Sequence, residues 1–132
     1  MRQLSVELRY LLYVGILLAV SWVPYILGQM QQLGLVKTLS YSSEGDMPVW
    51  AARLKRAHYN LVENIPLFAI AVFAGELRDV HTATTAACAM IFFWARLAYP
   101  IAAVAQVWGT RTAAFAVAWL AATVHLLVVL MA

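Results

Sequence analysis

VWAARLKRAHYNLVENIPLFAIAVFAGE, residues 49–76, joins two unlike halves in one stretch. From Ile65 to Gly75 no side chain is charged, whereas the first half carries Arg53, Lys55, Arg56, His58, Asn60, Glu63 and Asn64. Whether water or lipid surrounds this segment decides the fold. The composition answers for lipid: 64% of the 132 residues are hydrophobic and 11% charged, against roughly 45–50% and about 25% in a soluble domain. A chain this short has too few polar residues to cover a water-facing surface. The same numbers exclude a disordered tail. The single Cys88 excludes a disulfide-stapled module or a paired-cysteine metal site.

A membrane-crossing helix needs about 20 predominantly apolar residues. Besides residues 49–76, three segments meet this requirement: about Tyr10 to Leu33, about His81 to Val107, and about Thr110 to Met131. The first is longer than a signal-peptide core, carries Glu7 beside Arg9 and lacks a small-residue cleavage site, so it reads as a retained helix. Gly34 to Pro48 forms a polar connection, with Ser40, Ser42, Ser43, Glu44, Gly45 and Asp46, whose length suits a loop covering a site. The other connections, around Arg78-Asp79 and Trp108-Gly109-Thr110, are short and imply antiparallel neighbours. The chain therefore reads as one all-α domain, a transmembrane four-helix bundle. Arg2, Arg9 and Arg78 fall on the side of the termini, and Lys37, Arg53, Lys55, Arg56 and Arg111 on the other. By the positive-inside rule the termini face away from the cytoplasm. Alanines on the last two helices, among them Ala86, Ala95, Ala102, Ala118 and Ala122, predict close helix packing.

Ionisable residues at membrane depth cost about 2.5–3.5 kcal/mol each on insertion scales and mark sites by default. At 100° per residue, Arg53, Arg56, Asn60, Glu63 and Asn64 occupy about a third of the helix circumference, with His58 nearly opposite. Pro66, just beyond, cannot donate to the carbonyl of Val62. Arg96 and Tyr99 share a face of the third helix, and Arg111 and Thr112 open the fourth. Antiparallel packing brings these groups to one membrane height, with arginine in excess over Glu63, an arrangement suited to an anionic ligand. A structural reading stands beside this one. Glu63 paired with Arg96 or Arg56 would set helix register, and Arg53 and Lys55 would anchor at headgroups.

Elsewhere the chemistry is quieter. Cys88 sits among apolar neighbours as an inert thiol. His125 lies deep in the last helix, bonding locally or facing a neighbour, and His81 belongs to the outer connection. The three histidines are too scattered for a metal site. Trp22, Trp50, Trp94, Trp108 and Trp119 fit interface belts and core packing. A net charge of +3 spread along the chain gives nucleic acid no phosphate-tracking patch.

RAHYNLVENIPLF, Arg56 to Phe68, followed by ARLAYP, Ala95 to Pro100, and then Arg111-Thr112, resembles the MAPEG family, the membrane-associated proteins in eicosanoid and glutathione metabolism. The resemblance covers the last three helices, and its Arg-x-His-x-Asn-x-x-Glu-Asn element is the specific part. It implies homotrimers of four-helix subunits with sites between neighbours on the cytoplasmic side. The implied chemistry is glutathione conjugation, lipid hydroperoxide reduction or lipid isomerisation, with a lipophilic small molecule and membrane lipid as partners. The short loops suit a member in a bacterial inner membrane.

By the same resemblance, Arg56, Asn60 and Glu63 match the glutathione-contacting set on the second helix, Arg96 begins the third-helix motif, and Tyr99 stands where members carry His or Tyr. Arg111 matches the arginine that stabilises the glutathione thiolate, with Thr112 in place of a frequent Ser. Four positions depart from eicosanoid-forming members: Gln31 and Tyr59 replace basic residues, and Ala103 and Phe115 replace tyrosines. Each removes a donor, which argues against eicosanoid-specific activity and leaves room for another anionic thiol or amphiphile. The leading expectation is a glutathione transferase or peroxidase-like membrane enzyme. The alternatives are a catalytically silent member that binds lipid or scaffolds partners and, on size alone, a small multidrug exporter, whose proton coupling needs an acidic residue within the first helix, a role for which Glu7 lies too near the helix start.

Overall fold

The computed structural model describes residues 3–40 and 44–132; Arg2, Ser42 and Ser43 lie outside them. Among the described residues there is no strand, and four helical spans are long and apolar enough to cross a membrane: Val6–Leu33, Val49–Arg78, Ala83–Ala105 and Thr110–Met131. The protein is an integral, multi-pass, all-α bundle. Large apolar side chains such as Ile16, Leu27, Ile70, Trp94 and Leu120 remain exposed around it, as expected where lipid is the solvent.

The first span differs from the single helix expected over residues 10–33. It begins a turn earlier, because the Ser5 side chain accepts the Leu8 N–H (3.1 Å) and caps helix α1, Val6–Ser21. It then breaks at Trp22, two residues before Pro24, which cannot donate to the carbonyl of Val20. Helix α2, Val23–Leu33, completes the crossing. Gly28 of α2 comes so close to the second span that an added Cβ would lie 2.7 Å from the Trp50 ring and 3.0 Å from Ala51 Cβ. The connection expected to be non-helical contains a one-turn helix α3, Leu35–Leu39, and a 3₁₀ turn over Glu44–Asp46.

Helix α4, Val49–Arg78, runs through Pro66 and stops where Asp79 turns left-handed (φ 54°). Helix α5, Ala83–Ala105, starts at a capping box in which Thr82 and Thr85 exchange side-chain and backbone hydrogen bonds of 3.1 and 2.9 Å. Helix α6, Thr110–Met131, follows a tight turn at Gly109, whose φ of 76° favours glycine. Phe68 of α4 stacks on Phe92 of α5 with centroids 4.1 Å apart, and Ala118, Ala121 and Ala122 of α6 close against them. Ala118 and Ala122 pack the core as expected, and Ala87, Ala98 and Ala113 face outward.

At the end of the bundle holding both termini, a polar network ties three spans together. Glu7 of α1, 3% exposed, accepts from Thr85 Oγ1 (2.5 Å) and lies 3.4 Å from His81 Nδ1. Glu76 of α4 accepts from Ser5 and stands 4.0 Å from the other nitrogen of His81. Arg78 donates to the carbonyl of Val129, where a cation suits the exposed carbonyls of a helix C-terminus. Replacing Thr85 by Val removes the donor to a buried carboxylate and is expected to cost about 1–3 kcal/mol. Thermal unfolding in detergent measures this. Substitution of exposed Thr84 by Val is expected to stay within about 0.5 kcal/mol of the parent.

Candidate functional site

At the opposite end, the first turns of α4, the last turns of α5 and the start of α6 surround an open groove of about 1050 Å³. Arg53 and Arg56 enter it from α4, Tyr99 and Gln106 from α5, and Arg111 and Thr112 from α6. Gly45 and Met47, from the connection between α3 and α4, also line it, so that connection borders the site. Among the lining residues there are three arginines and no carboxylate. Ala103 forms part of its wall, where a tyrosine would have added a hydroxyl.

Arg56, Tyr99, Arg111 and Thr112 thus come together. Arg96, Asn60 and Glu63 do not join them in the groove. Arg96 is 2% exposed and turned into the protein, where Nη1 donates to Asn60 Oδ1 at 2.7 Å. Its guanidinium carbon lies 5.5 Å from the Phe92 ring centroid, 5.8 Å from Tyr99 and 5.5 Å from Phe115, within cation–π range of all three. Phe115 therefore supplies a ring face to a buried charge. Asn64 donates to the Asn60 carbonyl (2.7 Å), which spends its amide within the helix. Glu63 is exposed, and among the described residues no ion pair joins it to Arg96. The register pair expected between those two is replaced by the Arg96–Asn60 bond.

His58 points away from the groove, as its helical angle predicts. Its Nδ1 lies 2.5 Å from the hydroxyl of Ser21 in α1, and Ser21 also lies 2.9 Å from the carbonyl of Leu18. Both residues line a second, smaller cavity that also receives Arg96. Tyr99 and Ala57 border both spaces and form the wall between them.

Several quieter residues behave differently from expectation. His125 is fully buried and edge-on to Phe68 of α4, but neither ring nitrogen has a hydrogen-bond partner, so it faces a neighbour without bonding locally. The five tryptophans are between 39% and 97% exposed, so none is a buried core residue, and Trp94 and Trp119 lie near the middle of α5 and α6. Cys88 is buried in the apolar core. Sequence reasoning missed the Glu7–Thr85–His81 network and the Ser21–His58 contact. Both join positions far apart in the chain, and the available signal was only that each is a polar residue on an otherwise apolar span.

The MAPEG family model matches residues 9–131, which include every element of the groove and of the buried Arg96 cluster. The chain belongs to the MAPEG family. Compared with curated proteins and with solved structures, it has no significant match. Within this MAPEG chain, the Arg96–Asn60 bond is, among the described residues, the one hydrogen bond that the buried guanidinium makes. Asn60→Leu removes it and is expected to destabilise by about 1.5–3 kcal/mol, the range for a hydrogen bond to a charged group. Asn60→Asp keeps an acceptor oxygen and is expected to retain the parent's unfolding temperature. Thermal unfolding of the two variants in detergent checks both.

Proposed function

We propose that this protein is a glutathione-dependent transferase or peroxidase-like enzyme acting on lipophilic electrophiles or lipid hydroperoxides. The reading rests on one observation: Arg53, Arg56 and Arg111 line a single groove with Thr112 and Tyr99, in a chain of the MAPEG family. A tripeptide with two carboxylates needs separated cationic donors in a space of at least a few hundred Å³, and the groove supplies both.

When bound, glutathione supplies the thiol that attacks the electrophile. The chain's own residues do the rest. Arg111 stands at the first turn of α6, where its guanidinium favours the ionised form of a thiol, ordinarily near pKa 8.5. Thr112 adds a hydroxyl donor beside it. Arg56 and Arg53 hold the carboxylates of the peptide, and Tyr99 shapes the wall against the protein interior. Glu63 and Asn60 take supporting positions: Asn60 acts through Arg96, and Glu63 lies on an exposed face. In a homotrimer this open groove and that face meet a neighbouring chain, which completes the site. The groove end carries five of the eight basic residues near the span ends and is the cytoplasmic end in this reading; a bacterial inner membrane suits it.

Calorimetry of the folded protein in detergent is expected to detect glutathione binding, and absence of that binding would overturn the proposal. Arg111→Ala is expected to lower conjugation of glutathione to 1-chloro-2,4-dinitrobenzene by about 10²-fold, the usual effect of removing one charge-stabilising donor. The loss should be largest below the ordinary thiol pKa, where an unassisted thiol stays protonated, and it should shrink as pH rises through about 8.5. A uniform loss across that range would assign Arg111 to peptide binding instead.

A further inference from the structure

The smaller cavity holds about 190 Å³ and lies inside one subunit, between α1 and α2, the first half of α4, and α5. Leu17, Leu54, Leu61 and Pro100 make its walls apolar. Val20, 53% exposed, and Pro24 bring it to the outer surface of the first span, at the break between α1 and α2. Its polar groups are few. Ser21 and His58 satisfy one another. Arg96 does not share that state: Nη1 is bonded to Asn60, while Nε and Nη2 are buried and have no partner.

Those two nitrogens are a matched pair. Nε–H and the N–H of Nη2 run parallel along one edge of the guanidinium, at the spacing of the two oxygens of a carboxylate. Three aromatic rings lie within 5.8 Å of the charge, and none accepts from these two nitrogens. Because Arg96 is already 98% covered within its own chain, a neighbouring subunit has almost no surface of it to touch. The cavity that Arg96 lines is the space next to that edge from which an acceptor can approach with a small shift of the side chain.

We propose that this cavity binds the carboxylate of a single-chain amphiphile, a fatty acid, with its head on the Nε/Nη2 edge of Arg96 and its tail leaving past Val20 and Pro24 into lipid. The volume fits a head and the first few carbons, since a cavity of about 150 Å³ holds benzene. The apolar walls select against a zwitterionic peptide, which separates this site from the arginine groove on the other side of Tyr99 and Ala57. The proposal does not depend on glutathione being the ligand of that groove.

Native mass spectrometry of the detergent-purified protein with decanoate tests it. Saturable binding of one decanoate per chain is expected, with decanol bound about tenfold or more weakly for want of the charge-assisted bonds. Leu17→Trp fills the cavity and leaves Arg96 in place, and Arg96→Met removes the charge; each is expected to weaken decanoate about tenfold or more. Arg111→Ala, in the other groove, is expected to leave decanoate binding unchanged, so failure of the glutathione reading and failure of this one are separable. No saturable binding to folded protein, or undiminished binding by Leu17→Trp, overturns the proposal and leaves the guanidinium edge to water. Decyl phosphate binding more tightly than decanoate overturns the carboxylate assignment.

Discussion

A guanidinium cannot shed its charge at any accessible pH, so burying Arg96 obliges its surroundings to answer that charge. At membrane depth an unanswered arginine costs about 2.5–3.5 kcal/mol on insertion scales. The answer comes from three helices at once: an amide oxygen from Asn60 on α4, ring faces from Phe92 and Tyr99 on α5, and one from Phe115 on α6. Phe92 serves twice, since the ring beside Arg96 also stacks on Phe68 in the apolar core. The spacing of α4, α5 and α6 is thereby tied to the position of one charge. Exchanging Phe92 or Phe115 for an aliphatic residue would preserve apolar volume but lose the quadrupole that faces the cation.

This constraint also explains why one helical stripe separates into two environments. Arg53 and Arg56 lie one to two turns before Asn60 and open into the groove with Arg111, whereas Asn60 is committed to Arg96 behind the Tyr99 wall. The arginines lining the groove stand at an open space. The buried one meets an amide, three rings and an apolar cavity. Similar charges therefore do different chemistry, according to what surrounds them rather than to their place in a motif.

Four crossings were legible in the sequence because length and hydropathy are properties of a segment alone. The shared face of Arg53, Arg56 and Asn60, and the opposite direction of His58, were legible for the same reason, since helical angle needs no tertiary knowledge. The break at Trp22 was signalled by Pro24 but hidden by continuous hydrophobicity around it. Whether a polar residue faces a groove, another helix or lipid depends on which neighbour packs there, and that decided three cases. Glu63 shares the angle of Arg56 yet stays out of the groove; Arg96 takes Asn60 and not Glu63; and Glu7, close to the chain start, is buried against Thr85, 78 residues away.

Helix lengths place the two spaces at different depths. At 1.5 Å per residue α4, with 30 residues, is about 45 Å long, against about 30 Å of hydrocarbon, so it can project well beyond the apolar layer. With Glu76 and Arg78 near the boundary at the terminal end, the excess falls at the groove end and carries Arg53 and Arg56 into the headgroup region, level with Arg111 in the first turn of α6. Helix α5, with 23 residues, is about 35 Å long and has little excess. Arg96 lies nine residues before its end, about 14 Å along the axis, and stays below the boundary. The groove therefore falls nearer the aqueous side than Arg96 does. The cavity beside Arg96 lies deeper, has largely apolar walls and comes to the surface of the first span at Val20 and Pro24. Where the membrane boundary passes decides which arginines are read by water-soluble anions and which only by a molecule that travels in lipid.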